Sequence, residues 1–285
     1  MKAARQAWRR LEPVHGMIYF VPEAARRYAE LGLKGRAGYF ASRGAALGRA
    51  TAEQVIATFY NFRPALVREA LPAAWNVVTP EDMLTARADA AAEALRRAGI
   101  HELPGLDEAA GLARRAAVAA CDHLEGRPLF AAHAALPWPD EPLRLLWHAQ
   151  TLLREFRGDG HVALLLSEGV SGLEALVLHG AGGEVPSAVL RVTRAWPEDE
   201  WAAAERRLRE RGLLAEDGLS AEGRALRQHI EDRTDALTLP AYGVLGEDGC
   251  ERLAELARPF GRAVVDAGLL DMGAALRTSI GQPPG

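Results

Sequence analysis

Apolar residues return at helical spacing through almost the whole chain, and this restricts the fold more than any other feature of the sequence. A period near 3.6 predicts helices over 3–11, 23–31, 37–47, 51–60, 64–74, 80–98, 107–121, 141–156, 160–168, 171–180, 186–195, 197–211, 220–237 and 247–267. Alanine is abundant and aromatic residues make up only 6% of the chain, a balance that favours helix because Ala loses no side-chain entropy there. Stop and start signals fit the pattern. Thr79-Pro80-Glu81-Asp82 lines up a cap, a first-turn proline and two acids. Thr51 to Gln54 and Ser171 to Glu174 read as caps, and Arg211-Gly212 closes a helix. The proline-rich stretch from Ala135 to Asp140 predicts a boundary, with domains over 1–138 and 139–285 and an insertion near 16–37 in the first.

Residues 186–226 carry the sharpest fold signal. A helix from Pro186 to Ala195 passes through Trp196-Pro197 into a second from Glu198 to Arg211. A short apolar step at Leu213-Leu214, a turn at Glu216-Asp217-Gly218, a second step at Leu219 and a helix capped by Ser220 follow. That order is the order of a winged helix, and RLRERGLLAEDGLSAEGRAL resembles the matching part of MarR-type winged-helix proteins. Landmarks recur in the first half. Trp8 pairs with Trp147, Gly38-Tyr39 with Gly160-His161, Pro64 with Pro186, Trp75 with Trp196 and Gly99 with Gly212. Leu106 and Leu219 each make an apolar, strand-like step seven residues past that glycine. The sequence therefore predicts a mainly α protein of two diverged winged-helix-like halves, an internal duplication packed as a pseudo-dimer with short β-wings.

Charge argues against a DNA-gripping surface. The net charge is −4. Residues 184–235 hold 9 Arg against 12 acids (9 − 12 = −3). The candidate recognition helix opens with Glu198, Asp199 and Glu200, and the wing tip is Glu216-Asp217. DNA presents a phosphate about every 1.7 Å along its axis and rewards cations there.

The densest polar cluster is LWHAQTLLREFRGDGH. His148, Thr151 and Glu155 share one helical face, with Arg154 on the neighbouring one. Gly158 is expected to stop that helix and Asp159 to cap the next, whose first turn holds His161. Arg154, Arg157 and that helix N-terminus would bind an anionic group, with Thr151 beside them. His148, His161, Glu155 and Asp159 would exchange protons. In the first half Glu12, His15, Tyr39 and Arg43 would converge on the same place, closed on one side by Tyr60-Asn61-Phe62. His133 is expected to pack on Trp138.

Metal and organic cofactors are not expected. The histidines form no metal-type pair, no phosphate loop or nucleophile elbow is present, and Cys121 and Cys250 stand far apart. No apolar run reaches the roughly 18 residues of a membrane span, and the cytoplasm is the expected location.

The segments EPVH, PLFAAHAALPWPDEP, LWHAQTLLREFRGDGH and RAWPEDEWAAAERRLRERGLL together resemble a family of actinobacterial proteins labelled helix-turn-helix. The likeness spans nearly the whole chain and implies an actinobacterial origin and a helix-turn-helix fold. From the residues, the expected function is binding of a small anionic molecule, extending to cofactor-independent hydrolysis, elimination or displacement. The rival is a ligand-responsive winged-helix transcription regulator, and a third candidate is a protein-interaction module with an acidic helix.

Overall fold

The computed structural model describes residues 1–270. Helices α1 (Lys2–Gly16), α2 (Pro22–Glu30), α3 (Gly35–Gly44), α4 (Ala52–Phe59), α5 (Pro64–Ala70), α6 (Pro80–Arg97), α7 (Leu106–Ala120) and α8 (Pro128–Ala134) build the first part. The long α9 (Pro142–Ser167) leads into α10 (Gly172–Ala181), α11 (Ser187–Arg194) and α12 (Glu198–Glu210). A two-stranded antiparallel hairpin, β1 (Leu214–Ala215) with β2 (Gly218–Leu219), precedes α13 (Ala221–Gly243) and α14 (Gly246–Asp266). Leu214 faces Leu219 across the hairpin.

The predicted helix starts are made by the side chains expected. Thr51 with Gln54 and Ser171 with Glu174 form reciprocal capping boxes, and the Thr79 and Ser220 hydroxyls accept from Asp82 N–H and Gly223 N–H. Gly212, at φ 72°, ends α12 in the left-handed conformation that favours glycine. Cys121 and Cys250 are both free thiols.

The structure departs from the sequence reading at three places. First, α9 does not stop at Gly158; it runs unbroken through Gly158, Asp159 and Gly160, so Asp159 caps no helix of its own and no N-terminus faces His161. Phe156, Asp159, Gly160 and Leu164 are all buried there, and packing outweighs a cost of about 1 kcal/mol per helical glycine. Second, α8 went unanticipated. The Asp159 carboxylate, reaching across from α9, accepts from Phe130 N–H at 2.9 Å in its first turn. Third, Leu106 is no strand: Gly105, left-handed at φ 84°, opens α7 at that residue.

Two hydrophobic clusters divide the interior. The larger runs through α1 to α8 and the first part of α9, and α14 returns to close it along α1. The smaller gathers Leu164 and Leu165 of α9 with Leu176 of α10, Leu190 of α11, Trp201 and Leu208 of α12, Leu214 and Ile230. The loop Tyr60–Arg63 joins them. The Tyr60 hydroxyl donates to Val170 O, the Trp196 indole donates to Asn61 O at 2.9 Å, and Arg63 N–H donates to Arg194 O at 3.2 Å. Gly172 is required here, because a Cβ would lie 2.0 Å from Tyr60 O.

Candidate anion site at a buried arginine-rich seam

Where α1, α3, α6 and α9 meet the end of α11, charged side chains accumulate out of water. Glu155, on the buried face of α9, is 1% exposed. Arg154 donates to it at 3.1 Å and to Glu12 at 2.9 Å, and Arg43 stands 3.6 Å from its other oxygen. Burial favours protonation of Glu155, but Arg43 and Arg154 overcome it and hold the carboxyl at about 2. It is ionised at neutral pH.

His15 is fully buried at the end of α1. Its Nδ1 lies 2.9 Å from Thr151 Oγ1, and that hydroxyl donates to Trp147 O at 2.8 Å. With its proton committed, Thr151 accepts from His15 Nδ1–H. His15 Nε2 then accepts from the Tyr19 hydroxyl at 3.1 Å, and the imidazole stacks on Trp147 at 5.6 Å. Burial, then Arg154 and Arg87, push the His15 pKa well below its ordinary value, so the ring is neutral.

Aromatic rings line the same space. Tyr19 tilts against Tyr39, Tyr39 against Phe62, and guanidinium groups lie over ring faces: Arg43 over Phe59 at 4.1 Å, Arg194 over Phe62 at 4.7 Å, Arg154 and Arg87 over Tyr19 at 5.3 and 5.4 Å. Arg87 is the deepest cation. It is 2% exposed, its bond to the Tyr19 oxygen is long at 3.4 Å, and its Nε has no partner.

The expected convergence of Glu12, His15, Tyr39 and Arg43 with Thr151, Arg154 and Glu155 is therefore present in the fold. Five other candidates lie elsewhere. His148 packs edge-on against Trp138 at 4.8 Å, the place expected for His133, and burial lowers its pKa to about 4. Asp159 serves α8. His161 bonds Thr234 at 3.0 Å on the far side of α9. Arg157 is engaged by Asp235 at 2.6 Å and Glu231 at 2.8 Å. Asn61 contributes its backbone carbonyl to Trp196.

Sequence reasoning missed Arg87, Tyr19, Arg194 and His133. Arg87 had a signal, since it lies on the same side of α6 as buried Met83, Ala90, Ala91 and Ala94. Tyr19 stands four residues after His15 across a 3₁₀ turn, a spacing that needs the backbone to be known. His133 is buried beside Glu155, and burial lowers its pKa to about 3.

Among the described residues no cluster of three or more His, Cys, Asp or Glu suited to a metal occurs, and no single helix is long and apolar enough to cross a membrane. No curated protein and no solved structure matches the chain. A family model described as a helix-turn-helix family matches residues 4–271, and that span includes every residue of the seam. The chain belongs to this helix-turn-helix family.

Proposed function

We propose that the protein is a ligand-responsive winged-helix regulator whose effector is an anion held in the arginine-rich seam. Membership of a helix-turn-helix family supports the output side of this reading. So does the succession α10, α11, α12, hairpin and α13, in which α12 takes the place of a recognition helix. The winged-helix reading applies to residues 172–219; the matching stretch of the first half has α7 where a wing would be. One observation carries the coupling. Arg194, the last residue of α11, reaches Phe62 of the helical body, so an anion there touches body and helix-turn-helix segment together.

Trp201, Ala204 and Leu208 face inward on α12, leaving Arg206 and Arg209 exposed alongside Glu198 and Asp199. With acids at its front, such a helix would rely on few phosphate contacts, so retention should be strongest at low salt. The test is binding of duplex DNA selected from random sequence, at low salt, with and without Arg206→Ala and Arg209→Ala. Sequence-specific retention lost in the double variant is expected; no retention of any duplex removes the regulator reading.

The His15–Tyr19 pair favours a second reading, an acid–base enzyme acting on the same anion. It has a neutral imidazole in one tautomer and a hydroxyl donating to it. Turnover of an anionic metabolite that disappears in Tyr19→Phe, with no DNA retention, would favour it.

A further inference from the structure

We propose that the seam takes a small molecule bearing a dianionic oxyanion head, and that Arg87 is its deepest contact. This names the ligand class for the effector site proposed above and rests on that site being a binding site.

The charge balance comes first. Arg43, Arg87, Arg154 and Arg194 bring four positive charges, and Glu12 and Glu155 bring two negative ones. The imidazoles of His15 and His133 are neutral, because burial lowers both. Two positive charges are left over, with Arg87 2% exposed and Arg43, Arg154 and Arg194 only partly exposed. Arginine cannot shed its proton to escape this, so an anion must supply the balance. Arg87 has no carboxylate within 4 Å among the described residues, and an uncompensated buried charge is among the costliest features a fold can carry.

The hydrogen-bond balance agrees. Buried Arg43 Nε, Arg87 Nε, Arg194 Nε and Trp147 Nε1 all lack acceptors, against three oxygens without a partner: Glu12 Oε2, the Tyr28 hydroxyl beside Arg87, and Gln150 Oε1 on α9. Donors in surplus call for oxygen atoms, and planar guanidinium groups grip phosphoryl or carboxyl oxygens in pairs. The ring faces of Tyr19, Phe59 and Phe62 hold these guanidinium groups in place, so the donors are set before the ligand arrives. A phosphate monoester and a dicarboxylate share the required chemistry.

The test is calorimetric titration of the full-length protein with inorganic phosphate and with succinate, against chloride at matched ionic strength. Saturable binding of at least one dianion, and none of chloride, is expected. Phosphate and succinate separate the two sources. Arg87→Met should weaken binding roughly 10- to 100-fold, the range for a lost charge-assisted hydrogen bond. The melting temperature of the unliganded Arg87→Met protein should equal or exceed that of the parent, because an unpaired buried charge has gone. A merely structural Arg87 would give a lower melting temperature and unchanged binding. Arg194→Gln, at the partly exposed edge, should weaken binding too and guards against misfolding of the first variant. Indistinguishable responses to dianions and chloride, or Arg87→Met binding like the parent, would overturn the proposal. The titration contains no DNA, so failure of DNA retention alone removes the regulator and leaves the dianion site standing.

Discussion

The carboxylate of Asp159, in the middle of α9, accepts the backbone N–H of Phe130 at 2.9 Å and so caps a helix that precedes it in the chain. Burial raises its pKa to about 6, partly offset by that bond. A group whose folded pKa lies above its unfolded value of 3.8 contributes stability that is full below 3.8 and lost as pH rises through about 6. Asp159→Asn keeps an acceptor for Phe130 and removes the ionisation. Relative to the parent it should gain about 1–3 kcal/mol between pH 4 and pH 8. Urea denaturation at the two pH values measures this, and a constant difference would contradict the assignment.

Glu155 should behave with the opposite sign. Its folded pKa of about 2 lies below the ordinary 4.5, so its contribution is full above 4.5 and is lost as pH falls toward 2. Glu155→Gln strands Arg43 and Arg154 beside a neutral amide. A loss of about 3–5 kcal/mol at pH 7 is expected, shrinking as the solution is acidified. Equilibrium unfolding of parent and variant across pH 3–7 gives the comparison.

Thr151 fixes the proton position of His15, so its hydroxyl should matter more than its volume. Thr151→Val keeps the shape and leaves the buried His15 Nδ1 without a partner, for a loss of about 1–3 kcal/mol. Thr151→Ser should recover most of it. The Nδ1–H tautomer itself is visible in the nitrogen chemical shifts of the His15 ring, and a change to Nε2–H in Thr151→Val is the expected signature.

Gly172→Ala places a methyl group 2.0 Å from the Tyr60 carbonyl. The close approach of α10 to the Tyr60–Arg63 loop should open, exposing residues 172–219 to proteolysis at least tenfold faster at a destabilisation of about 1.4 kcal/mol or more. Gly111→Ala, a helical position with nothing within 4 Å of the added methyl, is the control and should cleave like the parent.

Most helices were legible in the chain because their signals are local. The capping boxes at Thr51 and Ser171, the proline after Thr79 and the glycine at 212 each act within one turn of the backbone, so reading them needs no partner. The hairpin at Leu214–Leu219 was legible for the same reason. The seam was half legible. Arg154 and Glu155 announced themselves as a polar run, and Glu12, His15, Tyr39 and Arg43 were matched to them through the order of landmarks along the chain.

What the amino-acid order determined alone was the helical class, the caps and the local hairpin, since short-range hydrogen bonding and backbone preference settle these before the chain is compact. Tertiary packing decided the rest. Gly158 and Asp159 look like a helix end, but α8 and α13 bury that stretch and keep α9 whole. Arg87, Tyr19 and Arg194 lie far apart in sequence and meet only when α6 and the turn after α1 close on α9 and the end of α11 reaches the Tyr60–Arg63 loop, because the energy of a buried charge depends on its neighbours and its distance from water, and a sequence records neither.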